Sequence, residues 1–186
     1  MPSSGLLRLA RDQSGVAAIE AALTFPILIL LFFGIVNIAD YVANVNKVVT
    51  ASSVVGDLVT RNDTTVTRAS ITDYFQAAEL AIWPIPINTV RLEVAAYRKT
   101  GGTIAATPQW RVMSTGGRDC DSVQTQPLTN LVDNGQDVIV SVACMNYVPP
   151  VVEFLGINII GFRSINIREQ MAMRPRKSNT IACTGC

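Results

Sequence analysis

The chain reads as an α+β protein built on one long N-terminal helix, and three observations predict it. An uncharged apolar run lies close to the N-terminus, and an apolar stripe at helical spacing continues beyond it. From Val90 onward the apolar residues recur every second position instead, which is the period of a strand. Together they predict a long transmembrane and amphipathic helix, a second helix, and a small antiparallel sheet of about four strands.

The apolar run comes first in the chain. Between Glu20 and Asp40 there is no charged side chain, an interval of roughly 19 residues that spans close to 30 Å as a helix, the thickness of bilayer hydrocarbon. A helix also satisfies every backbone group inside lipid. Pro26 falls within the span, where membrane helices tolerate proline. Before it stands a short leader with Arg8 and Arg11 against Asp12. Basic residues beside a span stay cytoplasmic, so the C-terminal portion is expected to be exported. The pattern also fits an uncleaved signal anchor. An ordinary secretory signal fits less well, because Ala39 is small but Asn37, two residues earlier, is polar.

From Asp40 to about Thr60 the helix is expected to continue, with Val42, Val45, Val48, Val49, Ser52, Val55 and Val59 as its apolar stripe. Asn62-Asp63-Thr64 breaks it. Thr67–Trp83 predicts a second helix capped by Ser70, with Tyr74, Phe75, Ala78, Ala81 and Ile82 facing inward and Pro84 and Pro86 closing it. Val90, Leu92, Val94 and Ala96 then define a strand with one buried face. Lys99-Thr100-Gly101-Gly102 is a turn, and Ala105–Met113 is the expected return strand. Residues 114–135 read as a loop with a short turn around Leu128–Val132. Asp137–Tyr147 is apolar on both faces and is expected at the centre of the sheet. Phe154–Ile160 crosses back, and Phe162–Met173 forms the last strand. Glu169 falls on that strand's apolar side, which suits a slipped register or an edge position open to water better than a functional carboxylate. This order of strands suggests a meander.

Composition narrows the function. With 186 residues and a formal net charge of +1, the chain has room for one modest domain beyond its anchor and carries no electrostatic footprint for nucleic acid. It has no histidine, hence no conventional catalytic triad and no common zinc ligand. No Gly-rich phosphate loop or nucleophile elbow is present, so neither catalysis nor a cofactor is expected. The four cysteines, Cys120, Cys144, Cys183 and Cys186, all follow the anchor, which suggests an oxidising compartment. Four cysteines permit three pairings. The expected one joins Cys120 to Cys144, tying the loop to the central strand, and Cys183 to Cys186 as a terminal ring. The alternative is a redox-active Cys183/Cys186 pair, although no helix follows it in the chain to stabilise a thiolate. A four-thiolate zinc site needs two close pairs, and Cys120 and Cys144 are not close in sequence.

The stretch Ser14-Gly15-Val16-Ala17-Ala18-Ile19-Glu20-Ala21-Ala22-Leu23-Thr24-Phe25-Pro26 carries the functional signal. Gly15, four small or apolar residues, then Glu20 resembles the processing site of type IV pilins and pseudopilins. The wider stretch is similar to the TadE-like proteins of tight-adherence (Flp) pilus systems, departing from Flp pilins at Ala21, where those carry an aromatic residue. Tyr147, Pro149, Met173 and Arg174 look similar to the family's ending. The resemblance implies a leader at 1–15, a transmembrane helix at 16–40 and an exported pilin-like domain at 41–186. It further implies cleavage after Gly15 by a prepilin peptidase, leaving Val16 as the new terminus. Glu20 would then pair with the terminal amine of a neighbouring subunit, with Glu20 and Pro26 in the subunit contact. The implied partners are the peptidase, other pilin or pseudopilin subunits, the pilus assembly machinery and membrane lipid. The implied place is the bacterial inner membrane, with the domain in the periplasm. An uncleaved anchored domain that binds envelope components is the alternative, and a tethered thiol oxidoreductase a further one.

Overall fold

The computed structural model describes residues 14–121, 123–125, 128–150 and 164–186. The leader charges and the expected crossing at Phe154–Ile160 lie outside the described residues. The chain divides between Asp40 and Tyr41 into two compact units. Helix α1 (Ser14–Thr60) supplies the described part of the first unit and the opening element of the second.

In the first unit α1 is apolar all round and unburied: Leu23, Phe25, Leu28, Leu30, Phe32 and Ile35 are all exposed. A helix with no polar face and no core over it is matched to hydrocarbon rather than water. Among the described residues it is the one helix long and apolar enough to cross a membrane. Pro26 lies inside it without ending it.

In the second unit α1 buries Val48, Ala51, Ser52, Val55 and Val59. Val42, expected on this stripe, is exposed. At 100° per residue it sits about a third of a turn away from the others, and Tyr41 takes its place. The Tyr41 ring meets Tyr147 edge-on at 5.5 Å between centroids. A short strand, β1 (Thr65–Thr67), leads into α2 (Arg68–Ile82). The cap of α2 is Thr67 rather than Ser70: Thr67 is extended, and its Oγ1 accepts a hydrogen bond from the Ser70 amide at 3.1 Å. Ile71, Phe75, Ala78 and Ile82 form the buried face, while Ala81 turns outward.

The main sheet comprises β2 (Val90–Thr100), β3 (Thr103–Ile104), β4 (Trp110–Met113), β5 (Asp137–Tyr147) and β6 (Ile165–Met173). Its order is β3-β2-β5-β6, with β4 also on β2, and every pairing is antiparallel. Gly101 and Gly102 both have positive φ, 61° and 87°, as a two-residue hairpin turn demands. The return strand is split, because pairing lapses between Ile104 and Trp110. The expected meander is not formed. It would set β5 beside β4, but β5 pairs with β2 from Val90↔Met145 to Arg98↔Asp137. These two strands are apolar on both sides, so pairing them centrally buries the most surface, whereas β4 alternates buried and exposed and suits an edge.

Strand β2 is buried on two faces, not one. Val90, Leu92, Val94 and Ala96 join the helices in one core, and Ala95 and Tyr97 join Val138, Val140 and Val142 in another. Leu128 and Val132, from the turn expected between β4 and β5, close over this second core. Gly117 lets the same loop lie against β2: its φ is 69°, and a Cβ there would stand 2.4 Å from the Arg91 amide nitrogen. Glu169 registers with Ala143 on β6, half-buried on a strand that is an edge among the described residues.

The C-terminal tail folds back as β7 (Ala182–Thr184), parallel to β1. Ile181 inserts into the core, and its carbonyl accepts from Trp110 Nε1 at 2.7 Å. The buried Asp137 carboxylate accepts from the Ile181 amide at 3.1 Å and from Arg98 at 2.7 and 3.1 Å. Ahead of β7, the Arg176 amide donates to the Thr60 carbonyl at 3.0 Å and its guanidinium pairs with Asp57.

Candidate processing and assembly site

Gly15, Val16 and Glu20 lie on the first turns of α1, and all three are exposed. A glycine inside a helix costs about 1 kcal/mol relative to alanine. Nothing in the fold calls for it here, because a Cβ at Gly15 would meet no atom within 4 Å. Val16 and Glu20 are four residues apart, one turn along a single helix face. Among the described residues no ion pair engages Glu20. Its carbonyl accepts a hydrogen bond from Thr24 Oγ1 at 2.8 Å.

Around Glu20 the helix surface is made of small side chains. Ala18, Ala21 and Ala22 line a shallow hollow that Thr24, Phe25 and Leu28 continue. Small residues let a second helix approach closely in a membrane. Pro26 adds to this surface chemically, because it has no N–H to give the Ala22 carbonyl.

The cysteines lie in the second unit. Cys144 on β5 and Cys120 in the loop between β4 and β5 are disulfide-linked, with Cα atoms 5.7 Å apart. Cys183 and Cys186 form the other pair, also with Cα atoms 5.7 Å apart, and Gly185 between them has φ 77°. The fold sets a helix beside this pair. Thr184 registers with Thr67, the N-cap of α2. That proximity is invisible in the sequence, because it depends on the β1–β7 pairing.

The buried charges of this unit serve the fold. Glu93 is almost wholly buried and accepts from Arg111 at 2.7 Å, which holds the Arg111 guanidinium above its ordinary range. Arg98 is raised in the same way by its hydrogen bond to Asp137. Burial raises the Tyr97 hydroxyl, and the Glu93 charge adds to the effect. Among the described residues there is no cluster of three or more acidic or thiol ligands that would hold a metal. A groove between α2 and the end of β4 carries Arg68 and Glu79, but these stand about three turns apart on the helix and make no catalytic pair. Sequence reasoning missed Asp137 as the anchor of the tail. Its only signal was a carboxylate at the first position of the most apolar strand.

Residues 15–56 match the family model described as TadE-like protein. The match begins at Gly15, includes Glu20 and Pro26, and ends within the part of α1 packed on the sheet. No curated protein matches the chain, and no solved structure does.

Proposed function

We propose that this TadE-like chain is a minor pilin-like (pseudopilin) subunit of a tight-adherence pilus, acting by assembly rather than by catalysis. A prepilin peptidase cuts after Gly15, and residues 16–40 hold the subunit in the bacterial inner membrane with residues 41–186 in the periplasm. The observation that carries this reading is the conjunction at the start of α1. Gly15 has no packing role, Glu20 is exposed one turn above Val16, and an unburied apolar helix follows at once.

The chemistry gives each residue a task. A carboxylate at the edge of hydrocarbon is costly unless it is paired. Cleavage creates a cationic amine at Val16, and a neighbouring subunit's amine is the partner that neutralises Glu20. Alanines around Glu20 allow that neighbour's helix to come close. Pairing at this one position sets the register in which apolar helices pack side by side.

The test is the intact mass of the protein recovered from membranes, with and without a co-expressed prepilin peptidase. Peptidase-dependent loss of residues 1–15 is expected. Glu20→Ala should still insert in the membrane but fail to co-assemble with other pilin subunits. An unchanged mass beside an active peptidase would sink the processed-pilin reading and leave an uncleaved anchored domain.

A further inference from the structure

The second unit has an apolar, aromatic end, and we infer that this end seats on the lipid headgroup region of the bilayer. The observation is two large side chains that the fold leaves uncovered, one on α2 and one at its C-cap: Leu80 is 81% exposed and Trp83 is 78% exposed. Exposed apolar side chains grouped on one surface mark a place that another surface covers, and these two stand three residues apart. The question is which surface.

The topology answers it. The unit begins at Tyr41, one residue after the uncharged span ends at Asp40. Tyr41 meets Tyr147 edge-on, at the C-terminal end of β5. Val90, the first residue of β2, registers with Met145 and so lies at this same end. Helix α2 runs toward it: its N-cap Thr67 registers with Thr184 at the other end, Tyr74 at its middle bonds Asn62 beyond the far end of α1, and its last residue Ile82 leads within eight residues to Val90. Ile85 folds back onto Ile82, with its amide 3.1 Å from the Ile82 carbonyl. Leu80 and Trp83 therefore stand at the end where the chain leaves its apolar span. Val42, Val148 and Ile165 are exposed there as well. The ion pairs of the α1–α2 connection, Arg61–Asp57 and Lys177–Asp63, gather at the opposite end.

Tryptophan and tyrosine favour the bilayer interface because each offers an apolar body and one polar group. Trp83 and Tyr41 lie at this end, and the covalent tether holds it at the membrane surface at high effective concentration. The occupant is thus lipid, reached without any further partner. This inference rests on the membrane-anchored reading above.

The chain has two tryptophans, Trp83 and the buried Trp110, so fluorescence separates them. The full-length protein is reconstituted in vesicles containing lipids brominated near the headgroup, and its flotation with the vesicles is measured on the same sample. Loss of about half the emission is expected, since one of two emitters sits at the interface. The quenching should vanish in Trp83→Phe and weaken in Leu80→Glu, with flotation unchanged. Protein that floats while Trp83 is quenched only by aqueous acrylamide overturns the lipid seat alone. Trp83 shielded from both quenchers also overturns it, in favour of a protein neighbour such as a second copy. Protein that does not float overturns the anchored reading together with the seat.

Discussion

At the scale of single residues, the groups proposed to act in processing and assembly are ones the fold does not use. A Cβ at Gly15 would meet no atom within 4 Å, and Glu20 is exposed on an apolar helix. The second unit uses its polar residues differently: Glu93, Asp137 and Ser141 are buried and each is hydrogen-bonded, Ser141 donating to the Ser52 carbonyl at 2.6 Å. Tyr97 provides a pH test of this core. Its hydroxyl is raised above 10.0 in the folded state, chiefly by burial. Above that pH the unfolded chain loses its proton before the folded one does, so stability is whole below pH 10 and falls as pH rises through the folded value. Urea unfolding as a function of pH should show this decline, and Tyr97→Phe should flatten it. An unchanged slope in the variant would assign the alkaline loss to another group.

At the scale of elements, the tail is the part whose role only the fold reveals. Residues 174–186 cross the end of α1, insert Ile181 and add β7 to β1. Removing residues 180–186 takes the partner from Trp110 Nε1 and one donor from Asp137, and it uncovers Val66 beside β7. Unmet buried hydrogen bonds cost roughly 1–3 kcal/mol each, so a loss on the order of 3 kcal/mol is expected. Amide hydrogen exchange reads where the loss falls. Protection should drop at β1 and the first turn of α2 while the β2–β5 pairing keeps its own. Uniform loss across the sheet would mean that the tail holds the whole unit rather than this corner.

At the scale of the whole molecule, the division at Asp40/Tyr41 separates two kinds of stability. The first unit is an unburied apolar helix that lipid would have to cover. The second has two cores of its own and the Cys120–Cys144 link, whose sequence separation is 24. Residues 41–186 alone should therefore fold in solution and unfold cooperatively under oxidising conditions. Reducing a loop of that length removes about 3 kcal/mol in the chain-entropy account, which appears as a lower denaturation midpoint. A fragment that remains unfolded when oxidised would show that the second unit depends on the first.

By itself the sequence determined α1, the uncharged span, the Gly15–Glu20 spacing, α2, and the two strands β2 and β5 with their flanking turns. Each of these is written in local periodicity or in turn residues within a few positions, so neighbouring side chains suffice to specify it. Only the tertiary structure decided the strand order, the second core, the exposure of Leu80 and Trp83, and the β1–β7 pairing. Those depend on which distant segments bury the most surface together. Local patterning shows that β2 and β5 are both apolar, but not that they pair with each other past β4. It shows a Cys-x-x-Cys ending, but not the helix that a residue more than a hundred positions earlier brings beside it.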